Sequence, residues 1–88
     1  MKKIINGKRY DTDTATKVAH WYGYSQKDFQ KNDFQLCIKD LYVTKSRKWF
    51  IAGEGLTPIS EDEAQNLLER HDFIDALEKY FSNKIEEA

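Results

Sequence analysis

The chain has 88 residues, of which 14% are aromatic and 33% charged, and a formal net charge of −1. That length accommodates one domain with a small core, so residues 1–88 are read as a single unit. One cysteine, Cys37, excludes an internal disulfide, and no run approaches the ~18 apolar residues of a membrane span. The amino terminus lacks the pattern of a signal peptide, so the expected location is a reducing cytoplasm, with no membrane partner.

Taken in chain order, Lys3-Ile4-Ile5 and Lys8-Arg9-Tyr10 flank Asn6-Gly7. Asn-Gly is the preferred centre of a two-residue type I′ hairpin turn, in which both residues need positive φ. Asp11 or Asp13 then offers a helix cap. Ala15, Val18, Ala19 and Tyr22 follow at i, i+3, i+4 and i+7, which predicts a short helix ending at Gly23. Residues 24–34 are polar with isolated aromatics and predict an irregular segment, anchored by Phe29 and Phe34.

From Gln35 to Val43 the content becomes β-like, and Lys48 to Ala52 returns as a second strand across the polar connection Thr44-Lys45-Ser46-Arg47-Lys48. Cys37 lies between Leu36 and Ile38 and reads as a packing residue. Trp49 and Phe50 point to opposite sides of their strand, so at least one enters the core. Gly53 and Gly55 mark the strand's end, and Leu56–Ile59 allows a further short strand. Ser60-Glu61-Asp62-Glu63 is a capping box, followed by an inward stripe of Ala64, Leu67, Leu68 and His71. Asp72 is read as the cap of a last helix, which buries Phe73, Ile74, Leu77, Tyr80 and Phe81. The expected fold class is α+β, ordered ββ-α-ββ-αα: two antiparallel hairpins forming one sheet, packed by one N-terminal helix and two C-terminal helices.

Glu54 lies between two glycines and invites a catalytic or phosphate-loop reading. A phosphate loop should enter a helix N-terminus, whereas an extended, proline-containing segment follows here. A catalytic acid wants a titratable partner, and none is local. Two histidines and one cysteine, without close spacing, do not make a metal site. An enzyme acting through His71 and Glu54 has no further support. The expectation is a protein with no catalytic residue, no cofactor and no metal.

Charge supplies the remaining signal. Residues 1–50 carry eleven Lys/Arg against five Asp/Glu, and residues 51–88 carry three against ten. The tip Lys45, Arg47, Lys48 with Trp49 pairs cations with an aromatic, as surfaces that track nucleic-acid backbones do; Lys2, Lys3, Lys8 and Arg9 extend that face. Glu54, Glu61, Asp62, Glu63 and Glu69 form an acidic set that imitates a phosphate backbone, or that is simply solvated.

Three stretches, KIINGKRYDTDTA (3–15), LYVTKSRKWFIAGEG (41–55) and ISEDEAQNLLERHD (59–72), resemble a family of small proteins carried by phages and conjugative elements of Gram-positive bacteria. The shared residues are turns, caps and core. Members of that family carry a further glycine and a longer loop after G-E-G, whereas Leu56-Thr57-Pro58 follows directly here. The resemblance implies an accessory protein of a mobile element, in a group that includes anti-CRISPR inhibitors. The expected function is therefore a non-enzymatic protein of the bacterial cytoplasm that binds and occludes a host protein, foremost a CRISPR effector nuclease. The alternative is a small nucleic-acid-binding regulator using the basic hairpin. A homodimer is compatible with both.

Overall fold

The computed structural model describes residues 1–28 and 33–88, and side chains outside 24–35. Strands β1 (Lys2–Ile5) and β2 (Lys8–Asp11) form the first hairpin, and Asn6 (φ 53) with Gly7 (φ 75) supplies the two positive-φ residues of its turn. Strands β3 (Thr16–Asp28), β4 (Asp33–Val43), β5 (Trp49–Ala52) and β6 (Leu56–Ile59) make a separate antiparallel sheet in the order β3-β4-β5-β6. Helices α1 (Glu61–Arg70) and α2 (Ile74–Phe81) follow, with a 3-10 turn at Ser82–Lys84. The class is α+β, but the order is six strands and then two helices. The two hairpins do not join one sheet.

The expected N-terminal helix is a strand. Residues 16–22 contain β-branched and aromatic side chains that suit a pleated surface. A register shift between Lys17 and Ala19 places a bulge in β3, and both Val18 and Ala19 pack on the same core cluster. Two consecutive inward residues imitate the i+3, i+4 pair of a helical stripe, and the bulge is what disguised the strand. Asp11 caps nothing: its carboxylate accepts the Asp13 N–H at 3.0 Å in a tight turn leading into β3. Gly23 lies within β3, opposite Cys37. Residues 24–28 and 33–34 extend β3 and β4, while Phe29 and the side chain of Phe34 lie outside what is described.

Around β5 the sheet is covered on both faces, whereas Tyr22, Leu36 and Ile38 on the outer part of β3 and β4 are exposed. Val43 pairs with Trp49 and Leu41 with Ile51 on the helix side, where they meet Ala64, Leu68, Ala76 and Phe81. Tyr42 pairs with Phe50 on the other side, where Tyr10, Ala52 and Leu56 complete a second cluster beneath the hairpin. Trp49 stacks on Phe81 at 5.3 Å between centroids, and Phe50 stacks on Tyr42 at 5.2 Å. Trp49 is 2% exposed and Phe50 0%, so both neighbours are core, one in each layer.

Helix α1 begins with the expected reciprocal cap: Ser60 Oγ accepts the Glu63 N–H at 3.1 Å, and Glu63 Oε1 accepts the Ser60 N–H at 3.3 Å. Its end corrects the reading of Asp72. That residue takes the left-handed conformation (φ 58), its N–H reaches Glu69 O at 3.2 Å, and the Phe73 N–H reaches Leu68 O at 2.9 Å. This is a Schellman ending with aspartate in the usual glycine place. Helix α2 then starts at Phe73 without a side-chain cap, and its rotation leaves Ile74 60% exposed.

Gly53 is needed for space rather than for φ. A Cβ there would lie 2.8 Å from the Ile38 carbonyl oxygen, because the β5–β6 turn runs against β4. A Cβ at Gly55 would meet nothing within 4 Å. In urea titration, Gly53→Ala is expected to lose about 1–3 kcal/mol through forced backbone movement, whereas Gly55→Ala should stay within about 0.5 kcal/mol of the parent. Equal effects would remove the close-approach explanation.

Candidate functional site

The acidic set is divided between two places. Glu54 stands on the β5–β6 turn, where its carboxylate accepts a hydrogen bond from Cys37 Sγ at 2.8 Å and ties the turn to β4. Glu61, Asp62, Glu63 and Glu69 lie on α1, beyond the far end of β6 and so about 13 Å of extended chain away. Glu63 is occupied by the cap. Glu61 and Asp62 share Lys84, at 3.6 and 3.9 Å, in open pairs that contribute little. Glu61, Asp62 and Glu69 remain exposed.

The basic set is also redistributed. Lys45 and Lys48 are exposed on the β4–β5 turn, but Arg47 is engaged by α2. Its guanidinium donates to the Tyr80 carbonyl oxygen at 2.9 Å and lies 5.6 Å from the Tyr80 ring centroid. Trp49 is buried between Tyr80 and Phe81 and offers no face to an incoming base. The expected stacking tip thus lacks its aromatic, because strand alternation after Lys48 turns Trp49 under the helices. In exchange, Lys8, Arg9 and Tyr10 of β2 meet Thr44, Ser46 and Lys48 around one cavity of about 250 Å³. Sequence reading placed Lys8 and Arg9 near this face but missed Tyr10, Thr44 and Ser46. The packing of Tyr10 on Phe50, at 5.6 Å between ring centroids, and of Ile5 on the same cluster brings the two segments together.

Because the hairpin and the helices cover opposite faces of one sheet, the charge asymmetry along the chain becomes a separation in space. The helical layer, residues 61–87, holds nine Asp/Glu against three Lys/Arg; residues 1–11, the hairpin, hold four Lys/Arg against the single acid Asp11. Such a molecule orients in the field of a charged partner before it touches it.

Other chemistry is sparse. His20, within the stretch expected to be helical, sits on β3 opposite Asp40, and its Nδ1 meets that carboxylate while Lys17 Nζ lies 3.7 Å from the second oxygen. Register made this pair, and the bulge hid it from the sequence. A carboxylate-oriented imidazole is half of an acid–base device, but no hydroxyl or thiol is bonded to His20 among the described residues. His71 caps the end of α1 exposed rather than inward as its stripe suggested, and its ring lies 5.4 Å from that of Trp21. Among the described residues no group of three or more His, Cys, Asp and Glu could hold a metal ion, and no helix is long and apolar enough to cross a membrane. Comparison with protein-family models, with curated proteins and with solved structures finds no match.

The burial of Trp49 has a direct optical consequence. Its indole Nε1 is enclosed and finds no hydrogen-bond partner among the described residues. With Trp21 replaced by phenylalanine, the remaining Trp49 fluorescence should resist iodide quenching, and adding an oligonucleotide should leave it unchanged. Trp49→Phe removes the unsatisfied donor along with some volume, so it should cost less than the roughly 3–5 kcal/mol expected of Trp49→Ala. Thermal unfolding of the two variants checks the order.

Proposed function

We propose that this is a non-enzymatic accessory protein of a mobile genetic element, which binds and occludes a host protein in the bacterial cytoplasm through its acidic helical face. The observation that carries this reading is the segregation of charge: the exposed carboxylates Glu61, Asp62 and Glu69 stand on the layer opposite the basic hairpin. Carboxylates held on a rigid helix can occupy a channel built for a phosphate backbone, since both present fixed negative charge to Lys and Arg. A CRISPR effector nuclease is the partner class with such a channel that the resemblance to mobile-element proteins favours. The alternative regulator, working from Lys45, Arg47 and Lys48 with Trp49, has less support, because Arg47 and Trp49 are engaged elsewhere.

The test is a pull-down from a Gram-positive lysate containing CRISPR effectors, treated with nuclease and read by mass spectrometry. A stoichiometric protein partner should survive the nuclease. The combined variant Glu61→Lys, Asp62→Lys and Glu69→Lys, which keeps the Glu63 cap, should weaken that partner's binding about tenfold or more. Circular dichroism establishes that the variant is folded. A folded variant that recovers the partner undiminished would show that the acidic face is not the contact.

A further inference from the structure

We infer that the cavity between the first hairpin and the β4–β5 turn is a binding site for a phosphate group. Its lining of Lys8, Arg9, Tyr10, Thr44, Ser46 and Lys48 brings together the cations Lys8 and Lys48 and contains no carboxylate. Neither of these cations enters an ion pair among the described residues, whose pairs are made by Lys17, His20 and Lys84. Like charges gathered in a concavity without a counter-charge repel one another, and a bound anion relieves that repulsion. The fold assembles them from positions about forty residues apart, so the cluster is not a by-product of local sequence.

The polar groups suit phosphate in particular. Thr44 Oγ1 accepts the Lys48 N–H at 3.1 Å and lies 3.2 Å from Ser46 Oγ, so the two hydroxyls share one hydrogen bond and retain one O–H to donate. Lys8, on the inward face of β2 with Tyr10, and Lys48 act as point charges, while Arg9 alternates to the other face of β2 beside exposed Ile4. At about 250 Å³ the cavity falls just below the roughly 300–1,000 Å³ of drug-sized sites, which fits a charged head group rather than a whole cofactor. The turn is held before any ligand arrives: Arg47 takes a left-handed conformation (φ 65), its N–H bonds Thr44 O at 3.0 Å, and its side chain is fastened to Tyr80. Preorganisation of this kind lowers the cost of binding.

This site lies on the layer opposite the acidic helices and stands independently of the occlusion reading. The phosphate it takes belongs either to a nucleic-acid backbone or to a small phosphorylated molecule. The experiment is a ¹H–¹⁵N NMR titration with inorganic phosphate, with a nucleoside monophosphate and with a short single-stranded oligonucleotide, at low and high salt. Saturable shifts centred on residues 8–10 and 44–48 are expected, weakened about tenfold or more in the folded double variant Lys8→Glu, Lys48→Glu. Lys45→Glu, on the same turn but outside the lining, should change affinity less than about threefold. A second variant, Lys8→Gln with Lys48→Gln, serves where the charge reversal disturbs folding. Tighter, salt-sensitive binding of the oligonucleotide assigns the phosphate to nucleic acid; equal binding of the monophosphate assigns it to a small molecule. Absence of saturable shifts with all three probes, or equal shifts in both double variants, overturns the site.

Discussion

Trp49 and Phe50 are neighbours on a four-residue strand, and the rest of the molecule is arranged around the fact that they face opposite ways. Trp49 is the hub of the helix side, packed against Tyr80 and Phe81 and paired across the sheet with Val43. Phe50 is the hub of the hairpin side, between Tyr10 and Tyr42. Each aromatic ring removes about 150–250 Å² from water. A chain this short has no other way to fill two interfaces, and both rely on the same strand being straight, central and correctly registered.

That arrangement explains which parts of the fold could be read from the chain. Local signals were legible because the interactions themselves are local. Asn6-Gly7 fixes its turn through backbone φ, and Ser60 with Glu63 closes its cap within four residues. Leu56–Ile59 was legible as a short strand, and its place at the sheet edge is what tolerates Pro58. Residues 15–22 were misread because the bulge at Lys17/Ala19 breaks the period of two, the main mark that tells a strand from a short helix. Asp72 was misread because a positive-φ aspartate and a capping aspartate look alike in sequence, and tertiary docking of Phe73 decides between them. The site residues divide the same way. Charge was visible residue by residue, but the neighbours of each charge depend on layer packing that no local pattern encodes.

The two-sided sheet also turns composition into electrostatics. Had both hairpins joined a single sheet under three helices, basic and acidic segments would have interleaved, and their charges would have paired across a common surface. Placing the basic hairpin on one face and the acidic helices on the other keeps them apart by the thickness of the sheet and its side chains, about 10 Å per layer. At physiological ionic strength this is close to a Debye length, so each face acts on a partner largely as if alone. The small net charge of −1 therefore understates the field at either surface.

Arg47 is the one described cation of the basic turn that crosses this division, and its commitment to Tyr80 has a structural consequence. The turn that lines the cavity would otherwise be a free hairpin tip, the class of segment with the lowest local stability. A charge-assisted hydrogen bond to a helix carbonyl, with the guanidinium over the same residue's ring, binds the tip to α2 at the end of that helix where a cation is favoured. The cation that looks most useful to a ligand is thereby spent on holding Thr44, Ser46 and Lys48 in place. The cavity's other cation, Lys8, arrives on the hairpin whose Tyr10 and Ile5 dock on the cluster around Phe50.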